Sequence, residues 1–234
     1  MIPETKRGIK MTITDEILNE IFKKVGNDFG YDTSAEFAAY RDLKVRWQRS
    51  YKWADFQVSD YLKDAPVEVL ESLARTIFTK IPGDECSYSD KVIEWLTAPE
   101  FVDTTQPIFI ERDHRISFDD GEHKDLEESL NRLKENGFIG DTEKMKIFWS
   151  KDPTETKGAW SSMLMKVVMV NKALDSGDVP DEVLDAVILK EVAAIECDFS
   201  LSPMDRKRTI DDRMKLYPGF DGISEWLYKH GMKA

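Results

Sequence analysis

Residues 187–196 read VILKEVAAIE, and the fold turns on how this stretch is taken. It reads as the second half of a helix over 181–197, opened by Pro180 and Asp181. Proline suits a helix start because its missing N–H is one of the donors that would find no partner there, and aspartate favours the positive end of the helix. Working outward, the turn-rich KDPTETKG at 151–158 separates two expected strands, 145–150 and 162–171. Helices are expected near 203–217 and 222–230. Upstream, DDGEHKDLEESLNRLKENGF (119–138) is an amphipathic helix, with Leu126, Leu130 and Leu133 facing inward and Gly137 as its stop.

The first half of the chain mixes the two periodicities. Ile13, Ile17, Ile21 and Phe22 mark a helix over 12–25 that Thr14 or Asp15 can cap, and Ser34 is expected to cap a short second helix through Tyr40. Residues 44–49 and 53–62, rich in Val, Trp, Tyr and Phe, read as a β-hairpin. Helices are expected from Ala65-Pro66 to Pro82-Gly83 and from Ser89 to Leu96, with a short strand at 108–111. The expected class is α+β: a flexible tail at 1–11, where Met11 is a candidate native start, then one domain over 12–234. Within that domain, 12–103 carries the N-terminal helices and hairpin, and 104–234 the core.

Composition limits the functions open to this chain. At 234 residues and 41% apolar it can bury a real core, and its apolar runs are too short for a transmembrane helix. The opening residues lack the apolar core of a secretory signal, so a soluble cytoplasmic protein without membrane partners is expected. The net charge of −12 opposes a phosphate backbone, which makes a nucleic-acid partner unfavoured. Arg206-Lys207-Arg208, flanked by Asp205, Asp211 and Asp212, reads as a solvated helix face. Cys86 and Cys197 form no C-x-x-C frame, and His114, His123 and His230 never stand four apart.

That last point bears on the opening stretch. In a helical zinc site of the form His-Glu-x-x-His, two imidazoles one turn apart hold the metal and the glutamate acts as general base. The same frame here reads Lys190-Glu191-Val192-Ala193-Ala194: the glutamate is in place and both histidines are replaced.

The surrounding residues strengthen the parallel. Gly158, Ser161, Met165-Lys166-Val167-Val168, Leu174-Asp175, Val179-Pro180 and Val183-Leu184-Asp185 precede the frame, and Tyr217-Pro218 and Trp226-Leu227 follow it. In this order the segment 158–227 resembles the active-site half of the SprT-like and YgjP-like zinc metallopeptidase domains, and the upstream half looks like archaeal members of that group. The resemblance implies a zincin-like fold, a small antiparallel or mixed sheet flanked by helices with an N-terminal helical extension. It places the third metal-ligand position at Arg206 with Ile210 at a phenylalanine position, or at Asp205 if the register slips by one. An ammonium, a methyl group and a guanidinium cannot ligate zinc, so zinc is expected to be absent.

The resulting expectation is a catalytically inactive, metallopeptidase-like protein that binds or scaffolds a protein partner. The alternatives are a hydrolase of altered mechanism using Glu191, and a nucleic-acid-associated factor. Glu191 itself is expected to be a vestigial carboxylate paired with a nearby Lys or Arg. Lys190, and Arg206 with it, would then set positive charge where the metal once stood. Met163, Met165, Val167 and Met169 are expected to share one face of a strand that packs the core and can pair with an extended peptide. A relocated metal site at Glu196, Cys197 and Asp198 is unfavoured, since consecutive helical residues do not converge on one ion. Trp47, Trp53 and Trp149 are expected to pack the sheet.

Overall fold

The computed structural model describes residues 12–81, 83, 86–140, 142, 144–153 and 156–232, so the expected tail and Pro82 lie outside it. It is α+β, with two small mixed sheets. Contacts divide the chain into two compact units, Met1–Leu96 and Thr97–Ala234.

In the N-terminal unit, helix α1 (Asp15–Asp28) starts where the Thr14 hydroxyl accepts from the Ile17 amide at 3.4 Å. Strands β1 (Asp32–Ala38), β2 (Val45–Arg49) and β3 (Trp53–Ser59) form a sheet in the order β1-β3-β2, with β1 parallel and β2 antiparallel to β3. Helix α2 (Val67–Lys80) turns Leu70, Ala74 and Phe78 inward, and α3 (Asp90–Thr97) ends the unit. Phe56 anchors the core, its ring 5.0 Å from Phe22 and 5.1 Å from Phe78.

The helix expected from Ser34 to Tyr40 is instead strand β1. Its alanines favour a helix locally, but pairing along all of β3 and burial of Thr33 and Ala35 against α1 outweigh that preference. Side chains of α1 also satisfy the β1 backbone: Asn19 accepts from the Ala35 amide at 3.1 Å and Asp15 from the Phe37 amide at 2.8 Å. Trp47 and Trp53 do not pack the sheet as expected, being 46% and 43% exposed, whereas Trp149 in the second unit is buried.

The C-terminal unit opens with α4 (Pro99–Arg112), which absorbs the strand expected at 108–111. Pro107 lies inside this helix and obscured it in the sequence, because proline removes one helical hydrogen bond. After β4 (Ile116–Ser117) and α5 (Leu126–Glu135) come β5 (Lys146–Ser150), β6 (Ala159–Ser162) and β7 (Val167–Val170), in the sheet order β4-β5-β7-β6. Strand β7 is parallel to β5 and antiparallel to β6, and its four residues are buried.

The continuous strand expected over 162–171 is therefore a hairpin. Met163 and Met165 stand in its turn, Val167 and Met169 in β7, and the shared methionine face does not exist. Lys166 takes a left-handed conformation, φ 50°, which is uncommon for a residue with a Cβ. The Gln106 side-chain amide holds this turn from α4, donating to the carbonyls of Met165 at 2.7 Å and Lys144 at 2.8 Å. Because β7 is interior to its sheet, it has no free edge for an extended peptide; β6 has one strand neighbour among the described residues.

Helix α6 (Asp181–Glu196) is the centre of this unit. Val183 through Leu189 are all buried, as befits a helix surrounded by other elements. It packs on β6, β7 and α5, and on α7 (Pro203–Met214) and α8 (Phe220–Lys229). At Gly158 a Cβ would stand 3.0–3.1 Å from both Val187 methyls, so the missing side chain lets the chain enter β6 close against α6. Among the described residues no helix is long and apolar enough to cross a membrane.

Candidate functional site

The residues singled out by the opening stretch sit on the last two turns of α6. Lys190 and Ala194 are one turn apart and share a helical face. Glu191 points toward β6, where the Ser161 hydroxyl donates to its Oε2 at 2.5 Å. A cavity of about 180 Å³ opens beside this pair. Lys157, Gly158 and Ala159 wall it at the entry to β6, Val187, Lys190 and Glu191 on α6, and Phe220 and Leu227 on α8.

Burial pushes the Glu191 carboxyl above its ordinary pKa, opposed in part by the Ser161 hydrogen bond and by the charges of Lys190 and Lys157. Among the described residues Glu191 forms no ion pair with a Lys or Arg; its hydrogen-bond partner is Ser161, and Lys190 and Lys157 act on it through their charges. The Arg206 charge acts on Cys197, where it opposes the upward push of burial on the thiol.

A raised carboxyl pKa has a definite sign. Ionised Glu191 costs stability above its folded pKa, and the cost disappears as pH falls toward the unfolded value. Glu191→Gln keeps an acceptor for Ser161 and removes the charge. Thermal unfolding at neutral pH should therefore show the variant as stable as the parent or more so, by under about 1 kcal/mol. The difference should shrink toward pH 4; a clear loss at neutral pH would mean that the negative charge is structurally required.

Lys190 also lines a second, open cavity of about 400 Å³, together with Pro203, Arg206, Lys207, Ile210 and Asp211 of α7. Positions 190 and 206, which the resemblance aligns with metal ligands, meet at one cavity, while Ala194 lines neither. Asp205, the alternative third position, is an exposed capping acid: its amide donates to the Ser202 hydroxyl at 3.1 Å, and its carboxylate accepts from that hydroxyl at 2.6 Å.

Zinc does not fit these side chains. The positions that the resemblance aligns with its ligands offer an ammonium, a methyl group and a guanidinium, and the carboxylate of that frame, Glu191, is held by Ser161. Among the described residues no group of three His, Cys, Asp or Glu side chains is placed to hold a metal ion. Glu196 and Asp198 are likewise engaged apart from each other, Glu196 with Arg213 and Asp198 with Ser200 at 2.7–2.8 Å.

Neither protein-family models, curated proteins nor solved structures give a match to the chain.

Several residues that shape the site carried no role in the sequence reading. Ser161 was visible only through the Gly158-x-x-Ser161 spacing, and Lys157 had no distinguishing signal. Two acids of the quoted pattern prove to be structural: Asp175 binds the 122–124 backbone, and Asp185 is buried against Arg132 and Ser129.

Proposed function

We propose that this protein is a catalytically inactive relative of zincin-like metallopeptidases, acting as a module that binds a protein partner at the cleft beside α6. One observation carries the reading. The helical face that would need two imidazoles presents Lys190 and Ala194, while the glutamate that would activate water is turned to Ser161. A site without ligands loses the metal's binding energy, and with it the means to generate hydroxide at neutral pH. What remains is a concave surface of apolar walls with a few polar groups, the usual form of a binding site.

A hydrolase of altered mechanism would have to use the Ser161–Glu191 pair, a nucleophile-type and a base-type group in hydrogen-bond contact, of which Glu191 lines the smaller cavity. The proposal and this alternative differ in outcome. Purified protein should contain no stoichiometric zinc and should cleave neither unfolded protein nor peptide substrates. Stoichiometric zinc that a chelator removes with loss of cleavage would overturn it. Metal-independent cleavage abolished by Ser161→Ala would favour the hydrolase.

A further inference from the structure

The larger cavity has a charge arrangement that the pseudo-peptidase reading leaves unexplained. On a chain of net charge −12, its wall brings Lys190, Arg206 and Lys207 together with one carboxylate, Asp211. That carboxylate is already in an ion pair with Lys207. Lys190 and Arg206, by contrast, form no ion pair among the described residues, although most other basic side chains packed onto this unit have found an acid.

Arg206 is also under-satisfied as a donor. Its Nη2 donates to the Phe199 carbonyl at a long 3.3 Å, and its buried Nε–H has no acceptor among the described residues. A guanidinium offers five N–H donors in a fixed fork, and a buried donor left unpaired is costly. Its neighbours on α7 behave differently: the side chains of Lys207 and Arg208 are 76% and 82% exposed. The basic cluster read as one solvated face is therefore split, with Arg206 drawn in to face the same cavity as Lys190 from another helix.

Two like charges gathered at a concave wall whose one carboxylate is paired with Lys207 repel each other, and an anion between them would turn that repulsion into attraction. We propose that this cavity is an oxyanion-binding site that takes a carboxylate or phosphate group, with Lys190 and Arg206 as the contacting cations and Lys207 at its rim. The proposal rests on reading the α6–α7 cleft as a binding surface, and it names the chemistry of what binds there. A free phosphate and the acidic side chains of a polypeptide both supply such a group.

Titration calorimetry at low ionic strength, with inorganic phosphate and separately with a short poly-glutamate peptide, tests it. Saturable binding of at least one probe is expected. Lys190→Gln and Arg206→Gln should each weaken it about ten-fold, because each removes a charge-assisted contact. Lys190→Arg should retain binding, and Arg208→Gln on the exposed face should leave it unchanged. Tighter binding of the peptide assigns a polypeptide source; binding of phosphate alone assigns a free ion. Circular dichroism confirms that each variant is folded, and if Lys190→Gln is not, the comparison of Arg206→Gln with Arg206→Lys decides. No saturable binding of either probe, or equal weakening by Arg208→Gln, overturns the site. Zinc-dependent cleavage by a protein that still binds anion would overturn the pseudo-peptidase reading and leave the site standing.

Discussion

Arg132→Ala is expected to cost the C-terminal unit about 3 kcal/mol in urea unfolding, because it strands a buried carboxylate. Asp185, on the buried face of α6, is 6% exposed. Its Oδ1 accepts from the Ser129 hydroxyl at 2.5 Å and from Arg132 Nη2 at 2.7 Å, and its Oδ2 accepts from Arg132 Nε at 3.0 Å. Arg132 Nη2 also donates to Ser129 Oγ at 2.8 Å, which closes the network between α5 and α6. Asp185 correspondingly raises the pKa of Arg132, its hydrogen bond being the largest contribution. Breaking one side of a buried pair typically costs about 3–5 kcal/mol, and the low end applies because the Arg132 side chain is 33% exposed and water can reach what is left. The double variant Arg132→Leu, Asp185→Leu should recover much of the loss, since no charge is then left unpaired. A loss below about 1 kcal/mol for Arg132→Ala would show that the network contributes orientation and little stability.

The elements legible in the sequence were those whose signals are local. Pro180 and Asp181 fixed the start of α6, and the expected end at 197 is one residue from the observed Glu196. Thr14 caps α1, and Gly137 follows α5 with φ 72°, as a left-handed helix stop requires. What failed was set by partners distant in the chain. Strand β1 depends on β3 and on two α1 side chains, and the 163–166 turn depends on Gln106 some sixty residues away. No glycine or proline marks that turn, so an apolar run read as one strand conceals a hairpin. The site divides in the same way. One-turn spacing placed Lys190 and Ala194 on a common face, but spacing could not tell that Arg206 turns inward while its two neighbours stay in solvent.

Asp175 provides the second large effect, and one that pH should reveal. Its side chain is 1% exposed, and it accepts from the amides of Glu122 at 2.7 Å, His123 at 2.9 Å and Lys124 at 2.9 Å while pairing with Lys172 at 2.8 Å. Burial by itself pushes this carboxyl up, but Lys172 and the three amides together outweigh it, and the net shift is well below the usual carboxylate range. Asp175→Ala leaves those amides and the Lys172 charge without their acceptor, for an expected loss of about 2–4 kcal/mol at neutral pH. Asp175→Asn keeps one carbonyl oxygen and should lose less, yet it isolates the contribution of the charge. A carboxyl whose folded pKa is depressed stabilises the fold above its unfolded value, near 4, and loses that contribution as pH falls through the folded value. The stability gap between parent and Asp175→Asn should therefore hold steady from pH 7 to about 5 and close progressively below about 4. A gap independent of pH across that window would mean that the loop is held by shape and neutral hydrogen bonds rather than by the ionised carboxylate.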